Sequence, residues 1–154
     1  MIVVWGIAVL CTLFLSSCKR PEVLDNSTLV NSARNVALTF GPAYVPFFKE
    51  ANVSDVQVFK KEDYGGDSRP QIRKQIGRKF YTVTFTYDST AVKFDFGFAA
   101  RVRIWKDTGE PLDVIFGNGW GRNFFFLSFK EQTNHSPNDY EKVASDSIVK
   151  VPLQ

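Results

Sequence analysis

Seven apolar residues at every second position, Val92, Phe94, Phe96, Phe98, Ala100, Val102 and Ile104, alternate with Lys93, Asp95, Gly97, Arg101 and Arg103. Successive side chains of a strand point to opposite faces of a sheet, so this period of two predicts one long strand with one face on a core and the other toward water. Phe96 is expected at the centre of the buried stripe. Gly97 or the pair Ala99-Ala100 is the expected place for a bend or bulge. Upstream, Tyr81, Val83, Phe85 and Tyr87 alternate with Thr82, Thr84 and Thr86, and Asp88-Ser89-Thr90 turns the chain. Downstream, Asp107-Thr108-Gly109-Glu110 reads as a hairpin loop. A strand with Leu112, Val114 and Phe116 follows, and Gly117-Asn118-Gly119 turns into a last one from Phe124 to Phe129. Short turns between successive strands specify an antiparallel meander.

Ahead of these strands the period is that of a helix. Leu29, Ala33, Val36, Ala37 and Phe40 are spaced by three and four residues and share one helical face. Ser27 or Asn26 is suited to cap its start, and Gly41-Pro42 to stop it. Pro46 argues against one long helix through Lys49. Val56 and Val58 then begin a strand ending near Lys61. The chain has 44% hydrophobic and 23% charged residues with a formal net charge of +3, which is a globular and mildly basic balance. Fifteen Phe can supply a sizeable core at ~25 cal/mol per Å² of buried apolar surface. The predicted fold class is α+β, an N-terminal amphipathic helix packed on a curved antiparallel β-meander. In outline that is similar to cystatin-like and nuclear-transport-factor-like folds, by order of elements and not by motif.

Residues 1–15 form an apolar run interrupted only by Gly6, Cys11 and Thr12, followed by small Ser16-Ser17. At ~1.5 Å per helical residue such a segment reaches roughly 25 Å, short of the ~30 Å hydrocarbon core, and has the outline of a cleavable export signal. Leu15-Ser16-Ser17-Cys18 at its end resembles the lipobox of bacterial lipoproteins, in which Leu stands three before a cysteine and two small residues lie between. The resemblance implies acylation of Cys18 and cleavage before it, so that Cys18 becomes the N-terminus. Lys19, where inner-membrane-retained relatives carry Asp, resembles outer-membrane-sorted lipoproteins. The first charges, Lys19 and Arg20, follow the apolar run, and by the positive-inside rule alone this leaves a signal-anchor orientation as the alternative. Cys11 and Cys18 are the two cysteines, so removal of 1–17 leaves no intramolecular disulfide. The expected organisation is a signal peptide over 1–17, a lipidated N-terminus and tether over 18–27, and one domain over 28–154.

The residues that carry chemistry are sparse. His135 is the only histidine and lies in a polar stretch, so a zinc site or a His-dependent triad is not expected. Gly117-Asn118-Gly119-Trp120-Gly121 fits neither nucleotide fingerprint and reads as a turn between strands. Asp95 and Asp113 alternate with apolar neighbours and could meet on one sheet face, although carboxylates on a solvated face are commonplace. No catalytic, cofactor-binding or metal-ligating residue is assigned, and no cofactor is expected.

Two clusters remain as candidate binding sites. Arg69, Arg73, Lys74, Arg78 and Lys79 interleave with Ile72, Ile76 and Phe80, which suits anionic headgroups at ~1 kcal/mol per basic residue. The simpler reading is a solvated loop balanced by Glu62, Asp63 and Asp67. Trp105, Trp120 and Phe125 are placed by the alternation opposite the main stripe. They are either covered by the C-terminal tail through Tyr140, Val143, Ile148 and Val149, which is the expectation, or exposed for binding. The resulting expectation is a non-enzymatic protein of a Gram-negative type of bacterium, anchored through acylated Cys18 in the outer membrane facing the periplasm. Its partner is another protein or envelope component and not nucleic acid. The alternative is a small-ligand carrier or enzyme with a pocket between helix and sheet, for which Asp95, Tyr81 or Tyr87 would supply the buried polar group.

Overall fold

The computed structural model describes residues 24–133 and the backbone of one further strand, Val149–Lys150. Helix α1, Asn26–Phe40, begins where the Thr28 N–H donates to Asp25 Oδ1 at 2.7 Å. The cap is therefore Asp25 and not Ser27 or Asn26, and the helix begins inside the segment 18–27 that the sequence assigns to a tether. A carboxylate suits this place because the first N–H groups of a helix are unpaired and carry partial positive charge. The same Thr28 N–H holds the Asp25 carboxyl below the usual carboxylate range. Leu29, Ala33, Val36, Ala37 and Phe40 are the helix's buried residues. Gly41 ends it, and Pro42 opens a 3₁₀ turn, Pro42–Phe47. A Cβ on Gly41 would sit 2.4 Å from the Phe116 ring, so helix and sheet approach there too closely for any side chain.

Six strands form one antiparallel sheet. They are β1 (Ala51–Val53), β2 (Gln57–Val58), β3 (Lys79–Phe85), β5 (Ala100–Trp105), β6 (Pro111–Phe116) and β7 (Gly121–Asn123). Their order is β1-β3-β5-β6-β7, with β2 paired to the start of β3. A separate two-stranded ladder joins β4 (Val92–Lys93) to β8 (Val149–Lys150). Two short helices, α2 (Pro70–Arg73) and α3 (Phe129–Thr133), and a second 3₁₀ turn, Lys61–Tyr64, complete the described elements. Helices plus an antiparallel sheet make the class α+β. One sheet face packs against α1 and the 3₁₀ turn: Val83, Phe85, Val102, Ile104, Val114 and Phe116 form one core with Leu29, Val36, Phe40 and Tyr44. Phe48 stacks on Phe85 at 4.3 Å and Tyr44 on Phe116 at 4.7 Å.

Four expectations need correction. The long strand from Val92 to Ile104 is two strands with a bend between them, and Phe96 is 46% exposed. Phe94 remains buried, Phe96 stacks on Phe98 at 5.4 Å, and both Ala99 and Ala100 are buried, so the alternation loses its phase. Gly117 causes this: its N–H donates to Ala99 O at 3.0 Å and its carbonyl accepts from the Phe96 N–H at 2.8 Å. A Cβ on Gly117 would lie 2.5 Å from Phe98 O. Second, Leu112 leaves the Val114–Phe116 stripe. Arg103 pairs with Asp113 but Ile104 pairs with Pro111, so Leu112 is the extra residue of a β-bulge and turns to the opposite face. Third, the segment from Phe124 to Phe129 is not a strand. Ser128 and Glu131 form a capping box that starts α3, with Ser128 N–H to Glu131 Oε2 at 2.8 Å, and Gln132 Nε2 donates to Asn123 O at 2.7 Å. Fourth, β2 ends at Val58, and Val56 and Val58 are exposed while Phe59 is fully buried.

Candidate functional site

The sheet's second face is also covered. Phe59, Ile72, Phe80, Trp105 and Leu112 form a second buried cluster, with Tyr64 and Phe125 packed on it. Among the described residues the cover is the chain from Phe59 through α2; of the C-terminal tail, Tyr140, Val143 and Ile148 lie outside the described residues and Val149 pairs with Lys93. Phe59 is fixed there because its N–H donates to Arg78 O at 2.8 Å and its carbonyl accepts from the Gly77 N–H at 2.9 Å.

A charge pair lies within this layer. Arg103 and Asp113 are directly opposite each other on β5 and β6, with side chains 14% and 5% exposed. The guanidinium Nε donates to both carboxylate oxygens, at 3.0 and 3.1 Å, and Nη2 donates to Oδ2. Asp63 Oδ1 stands 3.8 Å from Nη1, and the guanidinium lies 5.3 Å over the Phe80 ring. Burial pushes the Asp113 carboxyl up, while the hydrogen bonds and charge of Arg103 oppose that rise. Burial also acts to lower Arg103, but Asp113 and Asp63 outweigh it and the guanidinium is held more firmly protonated. Tyr64 is pushed up by burial first and by the Asp113 charge second. Every Asp113 oxygen is thus committed to one partner, and the arrangement is that of a structural pair. Asp95 is exposed in the bend before β5 and Asp113 is buried on β6, so the two carboxylates do not meet. Tyr81 is half-buried against the main core, and the Tyr87 hydroxyl accepts from the Phe94 N–H at 3.4 Å.

The binding candidates separate. Trp105 is 6% exposed, beneath Arg78, whose guanidinium carbon is 4.0 Å above its ring. Trp120 is half-buried and stacks on Phe116 at 5.2 Å, on the α1 side, so the two tryptophans belong to opposite faces. Arg78 donates to both oxygens of Asp107, at 3.1 and 2.7 Å, and that hydrogen bonding holds Asp107 below the usual carboxylate range. Arg69 is tied to Asp67, whose Oδ2 accepts from the Arg69 guanidinium and Oδ1 from the Arg69 backbone N–H. Arg73, Lys74 and Lys79 are exposed. A cleft of about 190 Å³ lies between Gln75, Arg78, Trp105, Phe125 and Lys130. That is below the ~300 to 1,000 Å³ of ordinary small-molecule pockets. Cys18 and His135 lie outside the described residues. Among the described residues no group of three or more His, Cys, Asp or Glu is placed to hold a metal ion. No helix among them is long and apolar enough to cross a membrane.

The sequence assigned Arg103 to solvent, although it carried a signal to the contrary. Arg103 and Asp113 are equidistant from Thr108 in the predicted hairpin loop, so simple hairpin pairing sets opposite charges side by side. The chain matches no family model, and no curated protein or solved structure is significantly similar to it.

Proposed function

We propose that this chain is a lipid-anchored, non-enzymatic protein of the bacterial outer membrane, facing the periplasm, whose single domain binds another protein or envelope component. The observation that carries the reading is Leu15-Ser16-Ser17-Cys18 at the end of an apolar run, which resembles a lipobox. The folded part fits such an anchor: Asp25 caps α1 only seven residues after Cys18. The binding role is supported by the commitment of Asp113 to Arg103 and by the small size of the cleft beside Trp105, which leave surface recognition as the better use of the domain. The finer reading of the architecture, a helix laid on a curved meander in the outline of cystatin-like and nuclear-transport-factor-like domains, rests on the order of elements and on the packing of α1 against β5 and β6.

Metabolic labelling with a fatty-acid analogue tests the anchor, with wild type beside Cys18→Ala. Label that depends on Cys18, with loss of Met1 from the mature chain, is expected. Equal label in both, or an intact Met1, overturns the reading in favour of a signal anchor.

A further inference from the structure

Of the acids that balance the basic segment in the sequence, Asp63 and Asp67 are occupied in the fold, while Glu62 is exposed and makes no ion pair with another described residue. Asp67 is clamped on Arg69, and Asp63 accepts from the Lys60 N–H at 2.6 Å while facing Arg103. Arg73, Lys74 and Lys79 make no ion pair with another described residue, and all three are exposed. Two exposed apolar side chains stand close to them in the chain. Val58, 44% exposed, is the cross-strand partner of Lys79, so the two side chains share the α1 face of the sheet, opposite the face that Ile72 and Phe80 line. Ile76, 46% exposed, closes the turn whose N–H donates to Arg73 O at 3.2 Å. Lys106, also exposed, lies beside Lys79, to whose carbonyl its N–H donates at 2.9 Å.

The point where the chain enters the domain lies at this same end. The Leu24 side chain packs against Gly109, within 3.3 Å of where a Cβ would stand, in the hairpin loop that starts at Lys106. Leu24 is six positions after Cys18, and even fully extended that span reaches only about 20 Å. An acylated Cys18 therefore holds this end of the sheet toward the bilayer.

We propose that this end of the sheet, with Lys79 and Val58 on one side and Arg73, Lys74 and Ile76 on the other, rests on anionic phospholipid headgroups. Cations draw the surface to the lipid, and the two apolar side chains enter the boundary between headgroups and acyl chains. Arg78 takes no part, because Asp107 and Trp105 hold it. The orientation argument rests on the reading of Cys18 as an anchor; the charge argument does not.

The test is sedimentation of the full chain, carrying Cys18→Ala, with vesicles of phosphatidylcholine alone or with one part in four of phosphatidylglycerol. The apolar run 1–15 contributes equally to every variant. Partition is expected to rise with phosphatidylglycerol and to fall at high salt. Replacing Arg73, Lys74 and Lys79 together by Gln should lower it on anionic vesicles by about a hundredfold, about fivefold for each residue, without change on the neutral ones. Ile76→Ser should weaken both, and Lys93→Gln, a cation elsewhere on the surface, should change the partition by no more than twofold. Indifference of the wild type to phosphatidylglycerol overturns the proposal, as does a triple variant that partitions like wild type. Neither result bears on acylation, which the labelling of Cys18 reads separately.

Discussion

Removing Arg103 tests whether the second sheet face is a dry, structural layer. In Arg103→Met the side-chain volume is nearly kept, but Asp113, 5% exposed, loses the cation that is hydrogen-bonded to it. Breaking a buried pair on one side costs about 3 to 5 kcal/mol, because the remaining charge stays desolvated. That is a large part of a domain's ~5 to 15 kcal/mol. With a urea slope near 2 kcal/mol/M the midpoint should fall by about 2 M at neutral pH. The penalty should also depend on pH. Burial already pushes the Asp113 carboxyl up, and without Arg103 only the weaker charge of Arg101 opposes that rise. A carboxyl with a folded pKa above its unfolded value favours the folded state below the unfolded value, and that advantage is lost as pH rises through the folded pKa. Relative to wild type, Arg103→Met should therefore lose little at about pH 3 and most at about pH 8. The double variant Arg103→Met/Asp113→Leu should regain most of the loss at both. Urea denaturation followed by circular dichroism measures this. A penalty equal at both pH values, or a double variant as unstable as the single one, would refute a buried ion pair.

Phe85→Ala should cost ~3 to 5 kcal/mol, since Phe85 is fully buried, whereas Phe96→Ala, at 46% exposure, should cost under about 1.5; chemical denaturation ranks them. Gly41→Ala should destabilise by about 1 to 3 kcal/mol, because its Cβ would fall 2.4 Å from the Phe116 ring, and a neutral result would mean that α1 does not approach β6 as described. Asp25, Asp67, Asp88 and Asp107 are all held below the usual carboxylate range by hydrogen bonds. Their stabilisation is complete above the ordinary value and is lost as pH falls through the lowered ones, so Asp107→Asn should flatten the acid limb of a stability profile. In affinity purification of the detergent-solubilised protein, Trp120→Ala should release a co-purifying partner while the domain stays folded, and retention of that partner would remove Trp120 from the interface.

What the sequence made legible was periodicity, and what it hid was anything that changes the phase of a period. The spacing of Leu29, Ala33, Val36, Ala37 and Phe40 identifies the residues that α1 buries because nothing interrupts that helix. The alternation from Val92 fails at Phe96 because Gly117, remote in sequence, lets a second backbone come within hydrogen-bond reach of the bend. Leu112 follows its stripe in sequence and leaves it in space, since one extra residue opposite Ile104 reverses every side chain before the bulge.

The same limit explains why the sequence, although it expected a cover over the second face, placed Arg103 toward solvent. Charges at Arg101, Arg103 and Asp113 mark it as solvated if each is counted alone, and Arg101 is indeed exposed. Pairing cancels two of them, and a face so neutralised can be roofed by Phe59 and Ile72. Roofing it has a consequence outside the core. To cover Trp105 and Phe80, the segment from Phe59 to Arg78 must point Phe59, Ile72 and the Arg78 guanidinium inward, and must spend Asp63 and Asp67 on local contacts. Arg73, Lys74 and Ile76, on the same short turn, are left outward with no acid among the described residues to hold them. The burial of one face of this segment and the basic, partly apolar character of the other are thus one arrangement, which is why disrupting the Arg103–Asp113 pair should also weaken vesicle binding through a loosened roof, whereas neutralising Lys74 or Lys79 should leave stability unchanged.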